Sequence, residues 1–153
     1  MDHSIRAFPN EIVYNDDIID ENFLELARDL AQWGMDRGIT RANGATIRAQ
    51  VEKLKEELDE LVDAWETGKW GEVIDGLGDS QVVLIQLARL TGCDLTSALE
   101  AAWNEIESRK GQMCHGFFVK EESIYKLQSI GVDLKDIQSL DDLKKLLAEI
   151  KEK

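Results

Sequence analysis

The sequence predicts an all-α protein, a bundle of four main helices followed by a short helical C-terminal extension. Two observations lead there. Apolar residues recur at three- and four-residue intervals through four successive segments, separated by glycines or short polar stretches. Proline occurs once, at Pro9, and only four Phe and two Tyr stand against many Leu, Ala, Glu and Lys. With 153 residues, 43% of them hydrophobic, the chain suits one domain with a real core.

Residues 1–19 keep no period and are expected to form an extended arm. A first helix fits residues 20–37, with Phe23, Leu26, Ala27, Leu30 and Gly34 as its stripe and Gly38 as its stop. A second fits 45–66, with Val51, Leu54, Leu58, Leu61 and Trp65 on one side. A third fits 71–90. Its stripe of Ile74, Leu77, Leu84, Ile85 and Ala88 is flanked by so many other apolar residues that burial on several sides is expected. A fourth starts after Asp94 or Thr96 and reaches Lys110, where Gly111 stops it. Residues 111–120 read as an extended connection, and the tail as weaker helices, the better one capped by Ser139. The expected organisation is therefore an arm (1–19), a helical domain (20–121) and a helical extension (122–153).

Charge narrows the function. Acids outnumber bases 31 to 18, a formal net charge of −13. Such a surface repels the phosphate backbone, so no nucleic-acid polymer is expected as a partner. A small anionic substrate remains open if divalent cations bridge it to the acids. The N-terminal residues show no signal-peptide pattern, and the most apolar run, residues 82–90, is too short to span a bilayer. Two lone cysteines, Cys93 and Cys114, and two histidines, His3 and His115, argue against a disulfide framework or a zinc site. A cytoplasmic protein without membrane attachment is the expectation.

Helical phase sorts the acids. At about 100° per residue, Glu57 borders the apolar stripe of the second helix, and Glu60 stands one turn on. Asp59 points roughly opposite, and Glu56 is intermediate. On the third helix Glu72, Asp75 and Asp79 fall on one side, which Gln86 continues. Buried carboxylates need cations or neutralisation. Two acidic helices packed together offer hard oxygen ligands suited to Mg²⁺ or Mn²⁺ rather than zinc. The bland alternatives are a solvated ExxE face and, for Asp75 and Asp79, compensation of the helix dipole.

Three stretches, QVEKLKEELDEL (50–61), EVIDGLGDSQVVLIQLA (72–88) and ALEAAWNEIESRKGQMCHGFFVKE (98–121), resemble the MazG-like nucleoside triphosphate pyrophosphohydrolases of the all-α NTP pyrophosphatase superfamily. LAQWGMDRGI (30–39) is similar to that family's first-helix segment. The family pattern is ExxE followed at a distance by ExxD, supplied here by Glu57/Glu60 and Glu72/Asp75. Many relatives place the aspartate in a GD pair, here Gly78-Asp79, but the partner acid would then fall on Gly76. The resemblance therefore favours Asp75 as the main ligand of the third helix, with Asp79 one turn on as the alternative or a further ligand.

The resemblance implies a helical bundle acting as a homodimer or homotetramer, and Mg²⁺-dependent cleavage of an NTP or dNTP to the monophosphate and pyrophosphate. It implies two or three Mg²⁺ ions, with Mn²⁺ able to substitute, held by Glu57, Glu60, Glu72 and Asp75, with Glu56 and Asp79 as further candidates. Glu57 or Glu56 is then the proton acceptor. Lys110, Asn104, Arg109, Lys53 and Trp33 are candidates for contacting the substrate. Each has an ordinary alternative: Lys110 and Arg109 complement a helix C-terminus, Lys53 pairs with Glu57 four residues on, and a lone helical Trp often packs. A second class of function stays open, a non-catalytic oligomeric interaction module with a cation-binding acidic face.

Overall fold

A computed structural model describes residues 19–151, with the side chain of Lys151 excepted. The expected N-terminal arm therefore lies almost wholly outside the described residues. The chain is mostly helical: α1 (Phe23–Asp36), α2 (Ile47–Glu66), α3 (Trp70–Thr91), α4 (Leu95–Ile106), α5 (Glu121–Ser129) and α6 (Leu140–Lys151). Short 3₁₀ turns cover Arg41–Asn43 and Leu134–Asp136. The chain divides into two compact units, one up to Ala98 and one from Leu99, a division that falls inside α4.

In the first unit α2 and α3 form an antiparallel-type helical hairpin around the short link at Thr67–Lys69, and α1 packs on α3. Thr46 starts α2 by accepting a hydrogen bond from the Ala49 amide at 3.1 Å. This unit buries Ala64, Val73, Val83, Ile85 and Leu90. Two glycines set how closely its helices approach. A Cβ on Gly76 would lie 2.9 Å from Leu61 Cβ, so the bare backbone lets α3 settle against α2. A Cβ on Gly34 would fall 1.9 Å from Gln86 Oε1, in the space where α1 meets α3.

Gln86 is only 1% exposed. Its amide is satisfied on both ends: Nε2 donates to the Leu30 carbonyl at 3.0 Å, and Oε1 accepts from Arg89 Nη1 at 2.5 Å. Arg89 also donates to the Ile39 carbonyl, and Arg41 donates to the Leu90 carbonyl at the end of α3. These bonds tie the α1–α2 connection to the C-terminal end of α3, where unsatisfied carbonyls favour cations.

The packed face of α3 differs from the expected stripe. Val73, Gly76, Ser80, Val83, Ile85, Gln86 and Leu90 are buried, whereas Ile74, Leu77 and Leu84 are exposed, so of the expected stripe only Ile85 is fully buried. A helix with apolar residues on several sides offers more than one candidate face, and the small residues Gly76 and Ser80 select the one that approaches α2 most closely. On α2, Leu58 and Trp65 of the expected stripe are also exposed, together with Val62. On α1, Phe23 and Leu26 are exposed while Gly34 is buried. α4 ends at Ile106, short of the expected Lys110, and carries no buried residue.

The second unit has its own core of Cys114, Val119, Ile124, Leu127, Leu134, Ile137 and Leu143. The expected extended connection is an antiparallel hairpin, β1 (Gly111–Cys114) with β2 (Phe117–Lys120), Cys114 opposite Phe117. His115 and Gly116 make the two-residue turn with φ of 48° and 75°, the left-handed pair that such hairpins need. Ser139 accepts from the Asp142 amide at 3.2 Å and caps α6 as expected.

Two outcomes follow from these contacts. Gly34→Val should lower unfolding free energy by about 1–3 kcal/mol in a denaturant titration, because the Gln86 amide it strikes is buried and bonded at both ends. Asp94 caps α4, accepting from the Ser97 amide at 3.1 Å and from the Ser97 hydroxyl. That hydroxyl bond, with the backbone bond behind it, holds the Asp94 carboxyl below its ordinary 3.8. Its charge-dependent stabilisation is present above pH 3.8 and fades as pH falls through the lowered value. Asp94→Ala should therefore lower the thermal midpoint at neutral pH, and the gap from the parent should narrow in acid below 3.8.

Candidate functional site

The α2–α3 seam decides which acids meet. Glu57, Glu60 and Asp63 of α2 repeat every third residue, and Glu72, Asp75 and Asp79 lie along α3. All six line one open cleft of about 440 Å³, with Gly76 in its wall and Lys69 at its edge. The closeness that Gly76 permits is what places the two acidic series across one gap. Asp63 was not singled out from the sequence, although its position three residues after Glu60 continues the ExxE series.

Burial within the cleft is uneven. Asp75 and Asp79, expected to be buried in an apolar helix, are exposed; their face of α3 is the one that opens onto the cleft. The buried acid is Glu57, only 5% exposed. Glu60 and Glu72 are exposed. Glu56 does not line the cleft and lies out in solvent beside Lys53.

Two lysines each take a carboxylate. Lys53 Nζ stands 2.6 Å from Glu57 Oε1 and 3.3 Å from Glu56 Oε1. Lys69 Nζ stands 3.3 Å from both oxygens of Glu72. The bond to Glu57, then that to Glu56, holds the Lys53 ammonium above its ordinary 10.5. The pairing thus stabilises the fold below pH 10.5 and is lost as pH rises through the raised value. Among the described residues, no three His, Cys, Asp or Glu side chains converge into a ready-made cation cage. The donor set nevertheless fits a hard divalent cation: it is all carboxylate oxygen, drawn from two facing helices.

A second pocket, about 410 Å³, adjoins the cleft through Glu57 and Asp79, which line both. Its other walls include Trp33, Gln50, Lys53, Val82, Val83 and Gln86. Trp33 is 43% exposed, so its ring is open to a ligand rather than sealed in the core. Gln86 spends its amide on Leu30 and Arg89, which leaves Gln50 as the freer amide of this pocket. Gln50 was missed from the sequence. It precedes Lys53 by three residues and Glu57 by seven, the spacing of one helix face.

The remaining candidates belong to the second unit. Asn104 and Lys110 are exposed there, and the Lys110 carbonyl accepts from the Glu121 amide at 2.8 Å. Arg109 pairs with Glu105 at 2.5 Å, one helical turn back. The structure thus gathers Glu57, Glu60, Glu72, Asp75, Asp79, Lys53 and Trp33 around one seam, and leaves Glu56 outside the cleft. Comparison with protein-family models, curated proteins and solved structures found no match to this chain.

Proposed function

We propose that this protein is a Mg²⁺-dependent nucleoside triphosphate pyrophosphohydrolase that converts an NTP or dNTP to the monophosphate and pyrophosphate. The observation that supports it most is the continuity of two unlike pockets through Glu57 and Asp79: six carboxylates on one side, and Trp33, Gln50 and Lys53 on the other. A nucleotide has the same polarity. Its triphosphate needs cations, and its base needs a flat apolar face and an amide or similar group.

Glu57, Glu60, Glu72, Asp75 and Asp79 are the residues to hold Mg²⁺, with Mn²⁺ as a substitute and two or three ions as the expected complement. When bound, the metal supplies charge neutralisation for the phosphates and a more acidic water. Trp33 offers its face to the base, and Lys53 offers a positive charge beside it. Glu57 is favoured over Glu56 as proton acceptor because it lies in the cleft. As water's oxygen bonds to phosphorus, its proton passes to that carboxylate and the bridge between the α and β phosphates breaks, releasing pyrophosphate.

A homodimer or homotetramer belongs to the same proposal. Leu58, Val62 and Trp65 follow one strip of α2, and Ile74, Leu77 and Leu84 lie on the face of α3 turned from the seam. A second copy would bury these side chains and complete the four-helix arrangement that one chain leaves open. A cytoplasmic setting, where nucleoside triphosphates and Mg²⁺ abound, is part of the proposal. Among the described residues, no single helix is long and apolar enough to cross a membrane. The same exposed apolar strips favour the second reading, a non-catalytic interaction module with a cation-binding face.

A panel of NTPs and dNTPs assayed for pyrophosphate release separates the two. The proposal expects release with Mg²⁺, its loss in EDTA and its return on adding Mg²⁺. Silence across the panel would leave the interaction module. Glu57→Gln and Glu60→Gln should each cut turnover by about 100-fold or more while far-UV circular dichroism keeps the parent's helical signal. Near-parent turnover in both variants would refute the assignment of these acids.

A further inference from the structure

We propose that Lys53 is a built-in cation for the buried carboxylate of Glu57, displaced when a divalent metal binds there and thereby released to the anionic substrate. This rests on the metal-dependent reading above and adds a coupling between its two pockets.

The pair is asymmetric. The Glu57 side chain is 7% exposed, whereas that of Lys53 is 47% exposed, and their atoms approach to 2.6 Å. A carboxylate so far removed from water requires a counter-charge. Among the described residues, the ammonium of Lys53 is the one ion-pair partner of Glu57. Helix stabilisation accounts for the pair poorly, because Lys four residues before Glu is the less favourable order along a helix.

The placement gives the pair a further consequence. Glu57 lines both the acidic cleft and the Trp33 pocket, while Lys53 lines the Trp33 pocket alone. A cation arriving from the cleft side meets a carboxylate already held from the other side. Two cations at one carboxylate repel each other at short range. Lys53 is the one able to leave, since its flexible stem is half in solvent. Once free, its charge stands in the Trp33 pocket next to the Glu57–Asp79 boundary with the cleft, where the proposed substrate passes from base to phosphates. Metal and substrate then favour each other's binding, by the same factor in both directions.

The test measures binding, not turnover. Mn²⁺ alone is titrated calorimetrically into the parent, Lys53→Met and Lys69→Met. Lys69 controls for simple loss of one positive charge near the cleft, since its partner Glu72 is exposed at 61%. Lys53→Met is expected to bind Mn²⁺ about five-fold more tightly than the parent, and more tightly than Lys69→Met. With Mn²⁺ saturating, its affinity for a non-hydrolysable nucleoside triphosphate analogue should fall about ten-fold. Lys53→Gln serves as the second variant should Lys53→Met lose its helical signal. Parent-like or weaker Mn²⁺ binding in the Lys53 variants, or a gain no larger than that of Lys69→Met, overturns the displacement. If the parent binds Mn²⁺ normally in that case, the proposed function survives. If neither the parent nor the Lys53 variants bind Mn²⁺, both fail.

Discussion

The close approach of α2 and α3 at Gly76 governs the rest of the first unit. Without a Cβ there, Leu61 and the backbone near Glu57 sit directly against α3. That contact fixes which face of each helix is buried, and so which face is left to carry charge. It turns Glu57 inward, sets Glu60 and Asp63 along the rim, and stands Glu72, Asp75 and Asp79 opposite. A β-carbon's worth of space thus couples packing to electrostatics. The seam cannot loosen without parting the two acidic series.

The cost of this arrangement is local repulsion, which the fold moderates in two ways. Exposure keeps Glu60, Asp75 and Asp79 in water, where like charges are screened. The acid that packing removes from water has a lysine within 2.6 Å. The cleft therefore holds its charge without closing around it, which agrees with the absence of a preformed cage among the described residues.

Much of this was legible in the sequence, and the limits are physical. The four main helices were recovered within a few residues at most ends, because their apolar periods are long and their stops are glycines. Phase alone set Glu57 beside the α2 stripe with Glu60 one turn on, and Glu72, Asp75 and Asp79 on one side of α3; it was the resemblance that joined the two series, and these five line one cleft. Which face of α3 packs was not legible, because hydrophobicity points in several directions there and the decision falls to Gly76 and Ser80, whose smallness no apolar period registers. The burial of Glu57, rather than Asp75 and Asp79, follows from that same choice. The hairpin at Gly111–Lys120 was read as an extended connection because its turn is His115-Gly116 instead of the commoner Asn-Gly. Gln50 carries no charge and belongs to no motif, so only its position on the Lys53–Glu57 face marks it.

The second unit has a consequence of a different kind. Its core runs from Cys114 to Leu143 and is built by a tight hairpin and two nearby helices. All of its residues fall in the one stretch from Cys114 to Leu143, so no contact in that core has to close more than a moderate loop of chain. Chains dominated by such local contacts fold at the fast end of the range for their size. The C-terminal hairpin and helices thus draw their core from a single contiguous stretch, separate in sequence from the contact between α2 and α3.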